Sequence, residues 1–458
     1  MDSTRRLTEG SPFRLLMGFI LPLLFGLLFQ QLYTMIDTIV VGKFLGVDAL
    51  AGVGSTGAIN FLILGFCMGI CSGFAIPVAH KFGMQDYEGL RRIVGNMIWW
   101  GIFFSLVMTL GITLFLKPVL VLMRTPEETF SYAYTYALIV FLGIPASILY
   151  NLLSGIIRSL GDSRTPLYFL IFSSLLNILL DLVLILVIPM GVAGAGIATV
   201  FSQLVSGLMC LVYMVRKFPL LKLHREDRKL RKAESLQLLS MGIPMGLQYS
   251  ITAIGCTILQ TAVNGLGSAA MAATTASGRA FGLLACPTDA IGTAAAIYSG
   301  QNVGAGEFDR VRKGAQANFL IGTLYSFLAL AGTYYLGRPF LMLFLDSTAP
   351  NLAEILALSQ QQLMINVIFL IPLLCVNLFR FAIQGMGYSG VAMIAGVLEL
   401  VGRAALAMAL VPVWGFTAVC LANPAAWILA DFFLIPMYFY GLHRLRKNHR
   451  QSIQTPSC

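Results

Sequence analysis

The first long apolar stretch of the chain, residues 13–41, reads FRLLMGFILPLLFGLLFQQLYTMIDTIVV. It contains only two charged residues, Arg14 near its start and Asp37 near its end. A helix of this length is long enough to cross the ~30 Å hydrocarbon core of a bilayer. Similar stretches recur throughout the 458 residues, of which 58% are hydrophobic and only 11% are charged. The composition therefore predicts a membrane protein with many spans and disfavours an ordinary soluble domain.

The remaining spans are found by cutting the sequence at charged or Gly/Pro-rich breaks. Backbone groups in hydrocarbon must form hydrogen bonds within their own segment, so every span is predicted to be α-helical. The chain is therefore predicted to be an all-α integral membrane protein of twelve transmembrane helices. The predicted spans are residues 13–41, 49–79, 94–116, 130–155, 166–188, 191–214, 235–263, 271–299, 316–337, 356–384, 391–411 and 415–441.

Basic residues lie mostly on one side of these spans. With a cytoplasmic N-terminus, 23 of the 30 Lys and Arg residues fall on the cytoplasmic side and four on the other, and three lie inside or near spans. The positive-inside rule then places both termini in the cytoplasm. Because this asymmetry explains the net charge of +10, and no basic patch is interleaved with aromatic residues, we expect no nucleic-acid partner.

The two halves of the chain repeat each other. Gly57 matches Gly278 at a shift of 221, and RSLGDS at 158–163 matches QGMGYS at 384–389. Two six-helix halves of the same orientation predict two lobes related by a pseudo-twofold axis along the membrane normal. Chance similarity between Gly-rich apolar helices is the alternative. The predicted domains are an N-lobe of helices 1 to 6 at 1–215, a cytoplasmic basic linker at 216–234, a C-lobe of helices 7 to 12 at 235–442 and a cytoplasmic basic tail at 443–458.

Two carboxylates lie inside spans of the first half. Tyr33 precedes Asp37 by four residues, and Asn177 precedes Asp181 by four, so each pair shares one helical face. An ionised carboxylate in hydrocarbon costs several kcal/mol unless it is paired, protonated or on a watery path. One interpretation is a structural pair that locks helices together. The other is a site that loads and releases a cation, and the residue types do not decide between a proton and sodium.

The second half does not duplicate this pair, since Asp37 shifted by 221 falls on Ile258. The candidates for a substrate cavity there are Asp289, Arg380, Glu399 and Arg403. Glu399 and Arg403 are spaced for a salt bridge within one helix, which favours a structural role for them. Asp289 is the strongest candidate in this half for a group that faces a cation.

Several motifs, each weak alone, are together specific in their order and spacing. The motifs are the first-span pattern around Pro22, Gln31 and Asp37, IIRSLGDSRTP (156–166), NILLD (177–181), GVAGAGIAT (191–199), SGQNVGAGEFDRVRK (299–313) and AIQGMGYS (382–389). Through them, essentially the whole chain resembles the multidrug and toxic compound extrusion (MATE) family of antiporters. The resemblance implies a two-lobed exporter that alternates between inward-open and outward-open states.

The resemblance also assigns residues. Matched motif by motif, it places an ion-coupling site in the N-lobe at Tyr33, Asp37, Asn151, Asn177, Asp181 and Thr199. The acidic pair of the sodium-coupled branch in the second lobe is not matched, because Thr252 and Leu373 occupy those positions. Pro22 removes one backbone amide from the first span, so we expect a hinge there.

The predicted function is therefore an antiporter, coupled to H+ or Na+, that exports amphipathic and often cationic organic compounds from a cell across its inner (plasma) membrane. We expect no cofactor, no metal site, no catalytic residues, and a monomer whose partners are small molecules and the lipid bilayer. A lipid-linked precursor flippase of the same superfamily is the alternative, but few basic residues lie at membrane depth to hold a pyrophosphate. An intramembrane enzyme is disfavoured because the chain lacks HExxH and GxSxG motifs.

The topology predicts how an introduced cysteine reacts. In a cysteine-free background, Arg225→Cys should resist a membrane-impermeant maleimide in intact cells and react after permeabilisation, because the linker is cytoplasmic. Arg124→Cys, on the predicted outer side, is the control and should react in intact cells. Labelling of position 225 in intact cells would contradict the topology.

Overall fold

The computed structural model describes residues 6–345 and 351–454, with side chains described as far as residue 451. Helices make up nearly all of this part of the chain, which contains no strand. The prediction of an all-α fold is confirmed. The helices are α1 (Pro12–Leu45), α2 (Val47–Ser55), α3 (Gly57–Gly83), α4 (Tyr87–Leu122), α5 (Glu127–Leu142), α6 (Ile144–Ser159), α7 (Arg164–Leu182), α8 (Val192–Lys217), α9 (Lys232–Asn264), α10 (Ser268–Gly304), α11 (Phe308–Met342), α12 (Leu352–Ile368), α13 (Leu370–Gly385), α14 (Ser389–Ala409), α15 (Val411–Trp414) and α16 (Phe416–Gln454).

Membrane spans can be counted from the length and apolarity of these helices. Within the described ranges, ten helical segments could cross a bilayer alone, and two bent pairs raise the number to twelve. The bent pairs are α5 with α6, at 45°, and α12 with α13, at 50°. The predicted spans 130–155 and 356–384 are therefore broken helices instead of straight ones.

Each bend has a local cause in the sequence. Pro145 follows the break at Gly143, and Pro372 follows the break at Phe369. Proline lacks an amide hydrogen and its ring crowds the preceding turn, so a helix bends or stops just before it. The two breaks lie at matching positions of the sequence repeat, 226 residues apart. By contrast, α1 continues without a break through Pro22.

The helices form two compact units. One contains Phe25–Ser250, and the other contains Leu7–Leu24 and the described residues from Ile251 onward. The unit boundaries fall inside α1 and α9. The predicted division of the chain into two lobes at the basic linker stays a prediction. Residues 455–458 of the predicted basic tail lie outside the described ranges.

The core of the first unit is apolar and joins α3, α4, α5, α6 and α8. Fully buried residues such as Phe74, Ile93, Phe141 and Ile157 belong to one continuous cluster. Because lipid is as apolar as this core, the helices are held by packing and by hydrogen bonds more than by water exclusion. The close contacts between these helices set the positions of the polar groups that α7 and α8 carry.

The basic linker lies against the start of α4. The Arg91 guanidinium forms an ion pair with Asp227 at 3.3 Å, and Asn96 Oδ1 accepts the Arg231 amide at 2.9 Å. Burial of the Asp227 carboxyl alone would raise its pKa, but hydrogen bonds from His224 and the Arg91 charge outweigh burial and lower it. A Cβ at Gly95 would lie 2.0 Å from the Asp227 carbonyl oxygen, so only glycine permits this approach. The linker segment around residue 227 is thus fixed in place.

Helices α10 and α13 of the second unit approach closely at another glycine. A Cβ at Gly385 would lie 2.3 Å from the carbonyl oxygen of Ala296. Real Cβ atoms do not approach backbone oxygens so closely, and neither helix backbone can shift alone in a packed bundle. Gly385 lies in the motif AIQGMGYS, and this contact gives one physical reason for a glycine there.

Gly385→Ala should therefore destabilise the protein by ~1–3 kcal/mol through overpacking. Gly332→Ala is the matched control, because position 332 is also inside a helix but a Cβ there would meet nothing within 4 Å. We expect a lower thermal-unfolding midpoint in detergent for Gly385→Ala and no loss for Gly332→Ala. Equal midpoints for the two variants would contradict the close contact.

Candidate functional site

Asp37 lies in the second half of α1, one turn after Tyr33. Its Oδ1 atom is buried and accepts no hydrogen bond from the described residues. The neighbouring hydroxyls are occupied, since Thr34 donates to the Gln30 carbonyl at 2.9 Å and Thr38 to the Thr34 carbonyl at 2.8 Å. The Asp37 Oδ1 atom therefore lacks a hydrogen-bond donor among the described residues.

Asp181 is the second carboxyl of this site and is completely buried. It lies near the end of α7, just before a π-helical turn at Val183–Val187. Within the described part of the chain, neither of its carboxyl oxygens has a hydrogen-bond donor. Such π-helical turns are rare and are often found at functional sites.

Asn177 lies one turn before Asp181 on α7 and is also buried. Its Nδ2 donates to Thr199 Oγ1 of α8 at 3.5 Å, and Thr199 in turn donates to the Ala195 carbonyl at 3.1 Å. Asn177 Oδ1 has no hydrogen-bond partner among the described residues. The amide oxygen is therefore available to a cation.

The structure brings Asp37 and Asp181 close enough for the charge on each carboxyl group to act on the other. Tyr33 and Tyr136 lie within electrostatic range of Asp37. Two carboxylates offer each other only acceptors, so they repel when both are ionised. One proton would create the missing donor, and one cation would neutralise the repulsion.

Asn151, the sixth residue predicted for this site, has a different environment. Its Nδ2 donates to the carbonyl of Ser147 within α6 at 2.8 Å. Among the described contacts, none joins Asn151 to the carboxyl pair. The structure therefore groups Tyr33, Asp37, Asn177, Asp181 and Thr199. It also adds Tyr136, which the sequence marks only as an aromatic residue within a span.

Three buried charged residues of the second unit form an ion cluster. Glu399 of α14 pairs with Arg380 of α13, and its Oε2 accepts from Arg403 at 3.1 Å. Arg403 Nε also donates to Asn423 Oδ1 at 3.0 Å. All three charged residues are at most 5% exposed. The predicted pair of Glu399 and Arg403 is present, and Arg380 joins it from another helix.

Asp289 differs from this cluster. It lies in the middle of α10 and accepts a hydrogen bond from Asn377 Nδ2 at 2.8 Å. The Asp289 side chain is nevertheless exposed. Of the four predicted cavity residues, only Asp289 is open in this structure. The sequence could not identify Asn377 as its partner, because they are 88 residues apart.

The chain is similar to known proteins in both sequence and structure. The MatE family model matches residues 22–183 and again 244–409. A probable multidrug resistance protein, YoeA of Bacillus subtilis, is 32% identical over 80% of this chain and 79% of that protein. An FAD transporter of Shewanella oneidensis is 23% identical over 74% of this chain and 76% of that protein.

A solved structure has a similar fold. It is an outward-facing conformation of a multidrug resistance MATE family transporter of the MOP superfamily, and the TM-score is 0.88 at 20% sequence identity. The match covers 96% of this chain and 98% of the other. The two segments matched by the family model start 222 residues apart, which agrees with the spacing of the sequence repeat.

The ion cluster predicts the effect of removing its central carboxylate. Glu399→Gln would leave two buried guanidinium groups facing a neutral amide, so the unfolding free energy should fall by ~3–5 kcal/mol. Glu354→Gln is the control, because Glu354 is exposed in the first turn of α12. Thermal unfolding in detergent would measure both variants, and an unchanged midpoint for Glu399→Gln would contradict a structural role for the cluster. Per folded molecule, transport should suffer less from Glu399→Gln than from the loss of Asp37.

Proposed function

Because this chain belongs to the MatE family of transporters and is not an enzyme, we propose that it is an ion-coupled antiporter that exports amphipathic, often cationic organic compounds. The coupling ion is H+ or Na+. The observation that carries this proposal is the Asp37 and Asp181 pair, whose buried oxygens lack donors in the described part of the chain. Buried side-chain oxygens in native structures usually have hydrogen-bond partners, so an unpartnered carboxyl pair is a candidate for binding a proton or a cation.

The proposed coupling follows from the chemistry of the pair. With no cation present, two ionised carboxylates in a buried site repel and favour a conformation that separates them or admits water. A bound proton or sodium ion removes the repulsion and lets α1 pack against α7. Tyr33 and the Asn177 oxygen complete the surroundings of the cation. Ion and substrate then exclude each other, because each favours a conformation that the other disfavours.

Pro22 gives α1 a place to bend during this change. Since proline has no amide hydrogen, the carbonyl of Gly18 loses its helical partner, and bending there breaks no further hydrogen bond. The helix is continuous through Pro22 in this conformation. We propose that ion release at Asp37 changes the angle at this residue.

The charges of the second unit support a cationic substrate. Asp289 is an open carboxyl at mid-helix, whereas Arg380 and Arg403 both pair with Glu399. A dinucleotide or a lipid-linked pyrophosphate would need cationic groups that are available to its phosphates. Because Glu399 pairs with Arg380 and Arg403, the ion cluster does not offer these two arginines to the phosphates of a lipid-linked pyrophosphate or of the substrate of the FAD transporter relative.

The proposed setting is the inner (plasma) membrane, with both termini and the basic linker in the cytoplasm. The asymmetry of basic residues, 23 against four, supports this orientation. We propose that the transporter acts as a monomer, since a two-lobed chain contains the whole transport path.

Asp37→Asn tests the proposed function. The amide keeps the size of the side chain but cannot release a proton or neutralise a cation, so gradient-driven efflux should fall to background while the protein stays folded. Asp48→Asn is the matched control, because Asp48 is an exposed acid in the first turn of α2. Efflux of a cationic dye from proteoliposomes with an imposed pH or sodium gradient measures both variants. Retained coupled efflux in a folded Asp37→Asn protein would remove this residue from the mechanism.

The same preparation identifies the coupling ion. If protons bind the pair, substrate affinity should fall as the pH drops, since protonation favours the conformation that the substrate disfavours. Asp181→Asn should remove that pH dependence. Affinity that is flat with pH but falls with added sodium would assign Na+ to the same residues.

A further inference from the structure

A groove runs along the surface of the first unit between α7 and α8. Phe169 forms the α7 side, and the α8 side extends from Val205 to Tyr213. The cavity volume is about 520 Å³, within the ~300–1,000 Å³ range of small-ligand sites. Apart from its two cationic end residues, Arg216 and Lys217, the lining is almost entirely apolar.

The dimensions of the groove match one leaflet of a bilayer. From Val205 to Arg216 the helix rises about 16 Å at 1.5 Å per residue. Half of a ~30 Å hydrocarbon core has nearly the same thickness. Leu208 and Val212 are about half exposed, as expected for residues that face lipid chains. The groove thus extends from mid-membrane depth to the surface that the basic linker marks as cytoplasmic.

The charged end of the groove is available to an anion. Arg216 and Lys217 are both exposed, and neither forms an ion pair with any residue that the structure describes. An acid lies close by, because Asp162 Oδ2 accepts a hydrogen bond from Tyr213 at 2.9 Å. That acid is buried, and it also accepts from Thr165 Oγ1 at 2.7 Å and from the Arg164 and Thr165 amides. Its oxygens therefore already accept hydrogen bonds from the first turn of α7 and from α8.

We propose that this groove binds an anionic phospholipid of the cytoplasmic leaflet, with its phosphate at Arg216 and Lys217 and one acyl chain along α8. Basic residues at the cytoplasmic end of a groove between transmembrane helices are suited to acidic lipid headgroups. A free anion would use the two charges but leave the apolar length without a role. The aromatic contact of Phe169 with Tyr213, at 5.9 Å between ring centroids, gives the groove a firm floor.

Native mass spectrometry of the purified full chain with phosphatidylglycerol tests this site. The double variant Arg216→Gln/Lys217→Gln should bind one phosphatidylglycerol about 30-fold more weakly, the effect of ~1 kcal/mol for each basic residue near an anionic surface. Lys222→Gln/Arg225→Gln removes the same charge from the linker and should keep that lipid. Phosphatidylcholine with the same acyl chains should bind the parent protein more weakly than phosphatidylglycerol.

A second pair of variants tests the apolar part of the groove while both cations remain. Val212→Trp should fill the groove and release the lipid although both cations remain, whereas Val215→Trp, at an exposed position that does not line the groove, should not. Both positions face outward, so both proteins should fold. Equal lipid retention by all four variants and the parent would overturn the proposal. Displacement of the lipid by excess inorganic phosphate would also overturn it, because it would indicate a simple anion site.

Discussion

A charge inside hydrocarbon must find an opposite charge, a proton, a hydrogen-bond donor or water, and this constraint separates the two units of the molecule. In the second unit, Glu399 meets this constraint by pairing with two arginines, and the resulting ion cluster is buried. In the first unit, Asp181 is buried with neither oxygen satisfied by a described residue. A carboxylate paired with arginines stabilises a conformation, whereas a carboxyl with no counter-charge among the described residues can respond to the arrival of a cation. The second case is the one that can couple ion movement to conformational change.

The same constraint acts on the backbone. Every described span is helical because peptide groups in hydrocarbon have no water to bond with. Helices that cross the membrane change direction readily where proline removes an amide, as after Gly143 and after Phe369. Close helix contacts such as that of Gly385 with Ala296 then replace the hydrophobic effect that would hold a soluble core. Proline bends therefore set the directions of the helices, and small residues let the helices pack closely.

The site residues differ in whether their partners lie nearby in the sequence or far away in it. Tyr33 with Asp37, and Asn177 with Asp181, could be paired from sequence because a four-residue spacing shares one helical face. The pairing of Glu399 with Arg403 could be predicted for the same reason. Arg380 could not be assigned to Glu399 from the sequence, since Asp289 was an equally available acid in the second half. Asn151 was assigned by resemblance, and its described contacts stay within its own helix.

The sequence alone determined that this protein is a helical membrane protein, that it is internally repeated, and where its buried charges lie along the chain. These properties depend on composition and short-range spacing, which a bilayer converts directly into helices. Only the tertiary structure decided that Asp37 faces Asp181, that Arg380 joins Glu399, and that a groove ends at Arg216. Those facts depend on the packing of helices far apart in sequence, and apolar spans look alike until packing selects the face that each one presents.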